Sequence, residues 1–166
     1  APQFGHTHEW NRADAIKVDK DHRFTGFDAY QKLLQTDVDI VILATPPVFR
    51  PMHVEAAVKA GKHVFAEKPV AVDPVGVRSV IASIELARQK NLGFMGGTQL
   101  RWHPCYQDIL QRVHDGQMGE VTGGECSWYG NFMFKWHAEV RKPEWSDMEY
   151  QMRCWPQFVW TSGDNF

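Results

Sequence analysis

Cysteine is scarce in this sequence, and no paired cysteine motif occurs. The 166 residues include three cysteines, Cys105, Cys126 and Cys154, which are widely spaced and form no CxxC pair. This pattern predicts neither a disulfide framework nor a cysteine zinc site, so a reducing, cytoplasmic location is the default expectation. His6 and His8 have a spacing that suits a metal, but no carboxylate or cysteine constellation completes a site, and we predict no bound metal.

An excess of one charge and a long apolar run are also missing. Lysine and arginine total 18 against 20 acidic residues, which gives a formal net charge of -2. This balance leaves no basic field for nucleic acid or for an anionic membrane surface. The longest uninterrupted apolar run, residues 40–44, is far short of the roughly 20 residues that a membrane helix needs. We therefore expect neither a nucleic-acid partner nor a membrane span.

The most informative stretch is residues 37–69, DVDIVILATPPVFRPMHVEAAVKAGKHVFAEKP. Its pattern predicts a strand buried on both faces, a helix and a second strand, over residues 38–44, 51–60 and 63–66. Gly61 is the residue expected to end the helix. Proline follows each strand and cannot donate a ladder hydrogen bond, so each strand ends there. Parallel strands joined by a helix end at the same edge of a sheet, where open α/β sheets bind ligands. We therefore expect Thr45 and Lys68 to lie near one another at that edge.

Capping and turn signals extend the α/β pattern in both directions. Asp28 predicts the cap of a brief amphipathic helix before the first strand, and Asp73 followed by Pro74 predicts the start of a helix that ends near residue 90. A further helix, strand, helix and strand are predicted over residues 10–16, 94–99, 104–113 and 119–128. Apolar spacing predicts the inward residues of the three longer helices as Met52, Ala56, Ala57 and Ala60, then Val77, Val80, Ile81, Ile84 and Ala87, and finally Tyr106, Ile109, Leu110 and Val113.

Three motifs in these segments resemble the Gfo/Idh/MocA family of nicotinamide-dependent oxidoreductases, named after glucose-fructose oxidoreductase, inositol dehydrogenase and rhizopine catabolism. They are ATPP at residues 44–47, AEKPVAVD at 66–73 and GFMGGTQLRWHPCY at 93–106. The resemblance implies that residues 1–100 are the C-terminal part of a Rossmann dinucleotide-binding domain and that residues 101–166 begin an α+β substrate domain. Because no GxGxxG motif occurs and the family's catalytic histidine would follow Phe166, we expect a fragment that is inactive alone.

The resemblance also implies NAD or NADP as the cofactor. Residues expected to bind it are Ala44, Thr45, Pro46, Pro47, His53, Glu67, Lys68, Pro69 and Gln99. Lys68 is the expected catalytic residue, because an ammonium can donate to the reacting oxygen and to a cofactor ribose hydroxyl, and partial burial would lower its pKa. Glu67 is expected to accept from the nicotinamide ribose or to hold Lys68 by a charge-assisted bond. The alternatives are a surface lysine at Lys68, a surface ion pair at Glu67 and a helix-surface position for His53. Family members often have a cis bond before Pro69, whereas trans is expected for an isolated proline.

Substrate contacts are expected from Lys68, Arg101, Trp102, Arg153 and Trp155. Arginine suits a polyhydroxylated ligand through multiple hydrogen bonds, and aromatic faces can stack on sugar rings. The alternative for Arg101 and Trp102 is a structural link between domains. The alternative for the tryptophan-rich segment is a core or a subunit interface; its members include Trp136, Trp145, Trp155 and Trp160.

The implied activity is reversible NAD(P)-dependent oxidation of a sugar, polyol or related hydroxylated compound, and we expect the full-length protein to be a homo-oligomer. Hydride transfer needs the two reacting carbons held close, a group for the hydroxyl proton and little competing water. Two rivals stay open. An NAD-dependent glycoside hydrolase of the same family would show no net change in nicotinamide absorbance, and a non-catalytic relative would only bind a cofactor or a sugar.

Overall fold

Three parallel strands and the helices between them form the centre of the protein. The computed structural model describes residues 17–127 and 141–163. Strands β1 (Ile40–Leu43), β2 (His63–Glu67) and β3 (Phe94–Gly97) form one sheet in the order β1-β2-β3. Helices α1 (Ala29–Leu34), α2 (Arg50–Lys59) and α3 (Pro74–Gln89) alternate with them. The predicted α/β class is confirmed.

The core lies between one face of the sheet and the helices α2 and α3. The strand register aligns Val41 with Val64 and Val64 with Phe94, so these side chains share the covered face. Val54 and Val58 of α2 are fully buried against them. Close packing of β-branched and small residues at this interface fixes the position of α2 on the sheet.

The opposite face of the sheet differs from the sequence prediction. The first strand was expected to be buried on both faces, yet Ile40 and Ile42 are 62% and 73% exposed, whereas Val41 and Leu43 are buried. Successive strand side chains point to opposite faces, and the described helices α2 and α3 cover one of them. The prediction of two-sided burial is therefore wrong for the described residues.

The buried positions of the helices also differ in part from prediction. Met52 in α2 and Ala60 just after it are exposed, and Val54 and Val58 are buried in their place along with the predicted Ala57. In α3, the buried residues are Val80, Ser83 and Ala87, whereas Val77 and Ile81 are exposed. Alanine- and valine-rich helices have an ambiguous apolar stripe, so the sheet that they face decides which side is buried.

Helix ends follow the predicted signals at two of three places. Gly61, which follows the last residues of α2, has φ 75°, a left-handed conformation that glycine adopts without steric cost. The Asp73 side chain accepts a hydrogen bond from the Gly76 amide at 2.6 Å, as expected of an N-cap. Asp28 makes no such bond, and its carboxylate instead pairs with Lys32 at 2.7 Å.

This difference gives a matched pair of substitutions. Asp73→Ala is expected to lower the free energy of unfolding by about 0.5–2 kcal/mol, because it leaves an N-terminal amide of α3 without its acceptor. Asp28→Ala removes an exposed i,i+4 pair that solvent screens, and it is expected to cost much less than the loss of the Asp73 cap. Urea denaturation of both variants measures the difference, and equal losses would show that the Asp73 cap is not the source.

Residues after β3 depart most from the sequence prediction. Strand β3 ends at Gly97, two residues before the predicted end at 99, because a 3-10 turn over Gln99–Trp102 occupies the following residues. Helix α4 (Pro104–His114) is present, but Tyr106, Ile109 and Leu110, which were expected to face inward, are each about half exposed. No strand forms over residues 119–127, and residue 128 of the predicted strand lies outside the described residues. The predicted helix over 10–16 lies outside them as well.

The last described segment returns to the carboxyl ends of the strands. It contains α5 (Asp147–Arg153), a 3-10 turn (Trp155–Gln157) and α6 (Val159–Ser162). Helix α6 packs against the 3-10 turn Pro47–Phe49, which follows β1, and Thr161 is fully buried there. Across residues 17–127 and 141–163, every helix is too short or too polar for a bilayer crossing.

Candidate functional site

The carboxyl ends of β1 and β2 bring the main predicted residues together. The parallel register pairs Leu43 with Ala66, so the residues that follow, Thr45 on one side and Glu67 and Lys68 on the other, emerge at the same edge of the sheet. We call residues 44–49 the β1 loop and residues 68–72 the β2 loop. The prediction that Thr45 and Lys68 share this edge is confirmed, and the peptide bond between Lys68 and Pro69 is cis.

A buried arginine that the sequence analysis did not identify joins these segments. Arg50, the first residue of α2, is 2% exposed and donates hydrogen bonds to the carbonyl oxygens of Thr45, Glu67 and Pro69, the last at 2.7 Å. The signal in the sequence was its position, because a cation is disfavoured at a helix N-terminus. That position marked Arg50 as unusual but did not indicate which groups would accept its hydrogen bonds.

The charge of Arg50 is incompletely compensated. Burial lowers the pKa of its guanidinium, and the nearby Glu67 carboxylate partly opposes that shift. Its Nε atom is buried without a hydrogen-bond partner among the described residues. Three carbonyl groups and the negative charge of Glu67 thus stabilise a buried cation. The protein interior directly beneath the exposed edge is therefore strongly polar.

Glu67 and Lys68 are arranged differently from expectation. The Glu67 carboxylate accepts a hydrogen bond from the backbone amide of Lys68 at 3.1 Å, instead of holding the Lys68 ammonium. The Lys68 side chain is exposed, so the expected partial burial is wrong, and its ammonium has no protein partner within residues 17–127 and 141–163. The ammonium is therefore available to a ligand at the edge of the sheet.

Gly97 leaves the space that the Glu67 carboxylate occupies. The two residues are aligned in neighbouring strands, and a Cβ atom at Gly97 would lie 2.7 Å from Cδ and Oε1 of Glu67. Real Cβ atoms do not approach other heavy atoms so closely, so a larger residue would displace the carboxylate. The glycine at the end of β3 thus helps to set the orientation of Glu67.

The His53 side chain is buried next to Thr45 at this edge of the sheet, and it does not lie on the exposed surface of α2. It is 8% exposed, its Nδ1 lies 3.1 Å from Thr45 Oγ1, and its ring packs against Tyr30 and Phe49 with centroids 4.5 and 6.0 Å away. Burial and, to a smaller extent, the charge of Arg50 lower the pKa of His53. A neutral imidazole is therefore the stable form, and it anchors the Thr45 hydroxyl.

The lowered pKa of His53 predicts a pH dependence of stability. Below its ordinary pKa of 6.5, the unfolded chain takes up a proton on this imidazole before the folded chain does. The contribution of His53 to the free energy of unfolding is therefore complete above pH 6.5 and is lost as the pH falls. We expect His53→Phe, which keeps the ring contacts, to lose less stability than the wild type on acidification. Thermal melts on either side of pH 6.5 measure this, and parallel pH profiles would contradict it.

A cavity of about 470 Å³ lies beside the β1 loop. Thr45, Pro46 and His53 line it together with aromatic side chains of Phe24, Phe27, Tyr30 and Phe49. The other predicted cofactor residues, Ala44, Pro47, Glu67, Lys68, Pro69 and Gln99, are not part of this lining. Pro47 is buried beneath the loop, whereas Ala44, Lys68 and Pro69 are exposed at the edge. The predicted set is therefore divided between the cavity and the edge that adjoins it.

The predicted substrate residues fall in two places. Arg101 and Trp102 lie in the exposed 3-10 turn that follows β3. Arg153 lies over the ring of Trp145 with its guanidinium carbon 4.6 Å from the centroid, and it also pairs with Glu149 at 2.9 Å. Trp155 accepts a hydrogen bond at its carbonyl from Thr161.

The tryptophan-rich segment is partly core. Trp145 is 7% exposed, so its ring is covered by protein and is not available as a platform for a sugar, whereas Trp160 is 42% exposed. Trp136 lies outside the described residues, as do His6 and His8. In the part of the chain that the structure describes, no group of three or more histidine, cysteine or acidic residues could hold a metal ion.

The donor set at this edge fits a dinucleotide. A hydroxyl on Thr45, a carboxylate on Glu67 and an ammonium on Lys68 are the donors and acceptors that ribose hydroxyls require. They lie at the carboxyl end of a parallel sheet, where α/β folds bind nucleotides. Pro46 adds apolar surface at the cavity and has no amide hydrogen to satisfy, whereas the buried Pro47 adds no accessible surface.

Comparison with known families agrees with this geometry. The family described as "Oxidoreductase family, NAD-binding Rossmann fold", GFO_IDH_MocA, matches residues 8–97. A solved structure of scyllo-inositol dehydrogenase from Lactobacillus casei with bound NAD(H) and scyllo-inositol is similar at 32% identity and a TM-score of 0.50. The match covers 56% of this chain and 27% of that one.

Two curated relatives are named for different kinds of reaction, a reduction and a glycoside hydrolysis. A dTDP-3,4-didehydro-2,6-dideoxy-alpha-D-glucose 3-reductase from Actinomadura kijaniata is 31% identical over 71% of this chain and 34% of its own length. A glycosyl hydrolase family 109 protein 2 from Shewanella sp. (strain ANA-3) is 34% identical over 62% of this chain and 22% of its own length. The chain thus spans about a third or less of the relatives that it matches.

Proposed function

The chain belongs to the Gfo/Idh/MocA oxidoreductase family, whose Rossmann fold binds NAD, and we propose that its full-length protein is an NAD(P)-dependent oxidoreductase of a sugar, polyol or related hydroxylated compound. The observation that carries this proposal is the meeting of Thr45, Glu67 and Lys68 at one edge of the parallel sheet. Similarity to an inositol dehydrogenase with bound NAD(H) supports the substrate class.

In this proposal the residues at the edge divide the work of binding and proton handling. The bound cofactor supplies the hydride acceptor or donor at its nicotinamide ring. Lys68, which is exposed and whose ammonium has no partner in the described part of the chain, donates to the reacting oxygen of the substrate and helps to manage its proton. Glu67 accepts from a ribose hydroxyl through the oxygen that does not bind the Lys68 amide.

The remaining contacts are assigned from their position. Cofactor binding is proposed for Gln99 after β3 and for the accessible residues of the β1 loop, Ala44, Thr45 and Pro46, with the Thr45 hydroxyl held by His53. The prediction that Pro47 also contacts the cofactor is wrong, because Pro47 is buried. Arg101 and Trp102, exposed on the turn after β3, are proposed to contact the substrate. Arg153 and Trp155 belong to the same proposal, although the guanidinium of Arg153 is already shared between Glu149 and Trp145.

The proposal is tested with the full-length protein and a panel of free sugars, polyols and their keto forms. The expected result is a change of nicotinamide absorbance that depends on both the cofactor and one member of the panel. Equilibrium binding of NAD and NADP, measured by protein fluorescence quenching, gives a separate readout. A protein that binds neither cofactor would contradict the proposal.

A glycoside hydrolase is the second candidate, favoured by the similarity to a glycosyl hydrolase family 109 protein. Such an enzyme would use NAD transiently and restore it within each turnover. Release of nitrophenol from a nitrophenyl glycoside, dependent on NAD and without net change in nicotinamide absorbance, would favour it over a dehydrogenase. Net reduction of NAD by a free sugar would favour the dehydrogenase.

The organisation of the full-length protein stays a prediction. We propose that the first domain ends near residue 100, where the Gln99–Trp102 turn and α4 follow β3, and that residues 101–166 begin the substrate domain. Limited proteolysis tests this boundary. The predicted homo-oligomer and cytoplasmic location are tested by sedimentation and by cell fractionation.

A further inference from the structure

One guanidinium connects two loops between which the described residues form no backbone hydrogen bond. The β1–β2 register ends at Leu43 and Ala66, and among the described residues no backbone hydrogen bond joins the β1 loop to residues 67–72. Arg50 spans this gap, because its NH2 group bonds the carbonyl of Thr45 and its NH1 group bonds the carbonyls of Glu67 and Pro69.

The cost of this arrangement argues against a purely structural role. Arg50 is almost fully buried, its Nε has no acceptor, and no carboxylate oxygen bonds to it among the described residues. Removing a cation from water without a bonded anion is unfavourable, and an apolar side chain of similar volume often stabilises a fold better. It also lies in the first turn of α2, where the helix dipole repels a cation.

The shape of the guanidinium explains what the charge achieves. Its planar fork presents donors in fixed directions, so bonds to both loops fix their relative position and orientation. A lysine ammonium offers a point charge on a flexible stem and cannot impose the same geometry on separated carbonyls. Because α2 also carries His53, which holds the Thr45 hydroxyl, the start of this helix positions both sides of the edge.

We propose that Arg50 is a positioning residue that holds the β1 loop and the Glu67–Lys68–Pro69 segment in one register. Its role in catalysis rests on the proposed function, because it would set the distance between the cofactor contacts at Thr45 and the ammonium of Lys68. Arg50 itself is buried and touches neither substrate nor cofactor in this scheme.

The test is amide hydrogen exchange of the full-length protein without cofactor, comparing Arg50→Met and Arg50→Lys with the wild type. Loss of charge-assisted bonds to both segments is expected to speed exchange at residues 45–49 and 67–71 by about tenfold or more in Arg50→Met. Arg50→Lys is expected to fall between the wild type and Arg50→Met. Exchange in α3 is expected to change by less than about twofold, because that helix receives no bond from Arg50.

Arg88→Lys is the matched control, because Arg88 is exposed on α3 and its one ion pair within the described ranges is with its neighbour Glu85. Faster exchange in only one of the two loops, or an equal rise across the whole chain, would overturn the coupling. If Arg50→Met does not melt cooperatively, Arg50→Lys is judged by the same criteria, and unchanged exchange in it overturns the proposal.

Turnover then separates this inference from the proposed function. If the wild type oxidises its substrate, Arg50→Lys is expected to lower kcat by about tenfold or more while the dissociation constant of the cofactor changes less. A wild type without cofactor binding would defeat the proposed function and the catalytic role, whereas the exchange experiment still decides whether Arg50 couples the loops. If Arg50→Lys exchanges faster but keeps the kcat of the wild type, then Arg50 couples the two loops but this coupling is not needed for catalysis.

Discussion

Replacing Lys68 by alanine in the full-length protein is expected to lower kcat by about 100-fold to 10,000-fold, the range for removal of a group that handles a proton. The reason is that Lys68 places an exposed ammonium at the edge where the proposed cofactor contacts meet. Cofactor affinity should fall only modestly, because Thr45 and Glu67 remain. Steady-state kinetics and cofactor titration measure the two effects separately.

The stability of Lys68→Ala should be within about 0.5 kcal/mol of the wild type, because the ammonium has no partner among the described residues. Lys59→Ala is the control. Lys59 is another exposed lysine, placed at the far end of α2 and paired with Glu55, so its loss should leave kcat unchanged. An unchanged kcat in Lys68→Ala would remove this residue from the mechanism.

Gly97→Ala is expected to lower kcat/KM by about tenfold to a hundredfold, the equivalent of one charge-assisted hydrogen bond. The added Cβ would meet the Glu67 carboxylate at 2.7 Å and push it away from the amide of Lys68. The carboxylate is the flexible end of a side chain, so the variant should still fold. The loss should therefore appear in kinetics and cofactor affinity and not in the melting temperature.

The neighbouring glycine is a matched control for this substitution. A Cβ at Gly96, one residue earlier in β3, meets no heavy atom within 4 Å among the described residues. Gly96→Ala should keep full activity and gain up to about 0.5–1 kcal/mol, because alanine loses less conformational entropy than glycine on folding. Equal losses of activity in both variants would show that the displacement of Glu67 is not the cause.

Much of the framework could be predicted because it depends on local signals. Prolines after the strands, glycine after α2 and the Asp73 cap each act within a few residues, and the structure has them where the pattern indicated. Burial was harder to predict, because the side chains of α2 are small and several faces of that helix are apolar. The packing of Val54 and Val58 against the sheet could not be read from spacing alone.

The site shows the same division. The motif at Lys68 indicated the edge of the sheet, but not that Glu67 would turn to the Lys68 amide or that His53 would be buried under Thr45. Arg50 was missed because its partners are main-chain carbonyls, which any residue carries, and a sequence pattern does not distinguish the carbonyls that will converge on it.

By itself, the sequence determined the α/β class, the alternation of strands and helices, and the edge at which the functional residues emerge, since these follow from periodicity and from the backbone limits of proline and glycine. Only the tertiary structure decided which helix faces are buried, where the Glu67 carboxylate points, and that one buried guanidinium joins two loops. Those features depend on contacts between segments far apart in the chain, and local sequence patterns do not show which distant segments will come into contact.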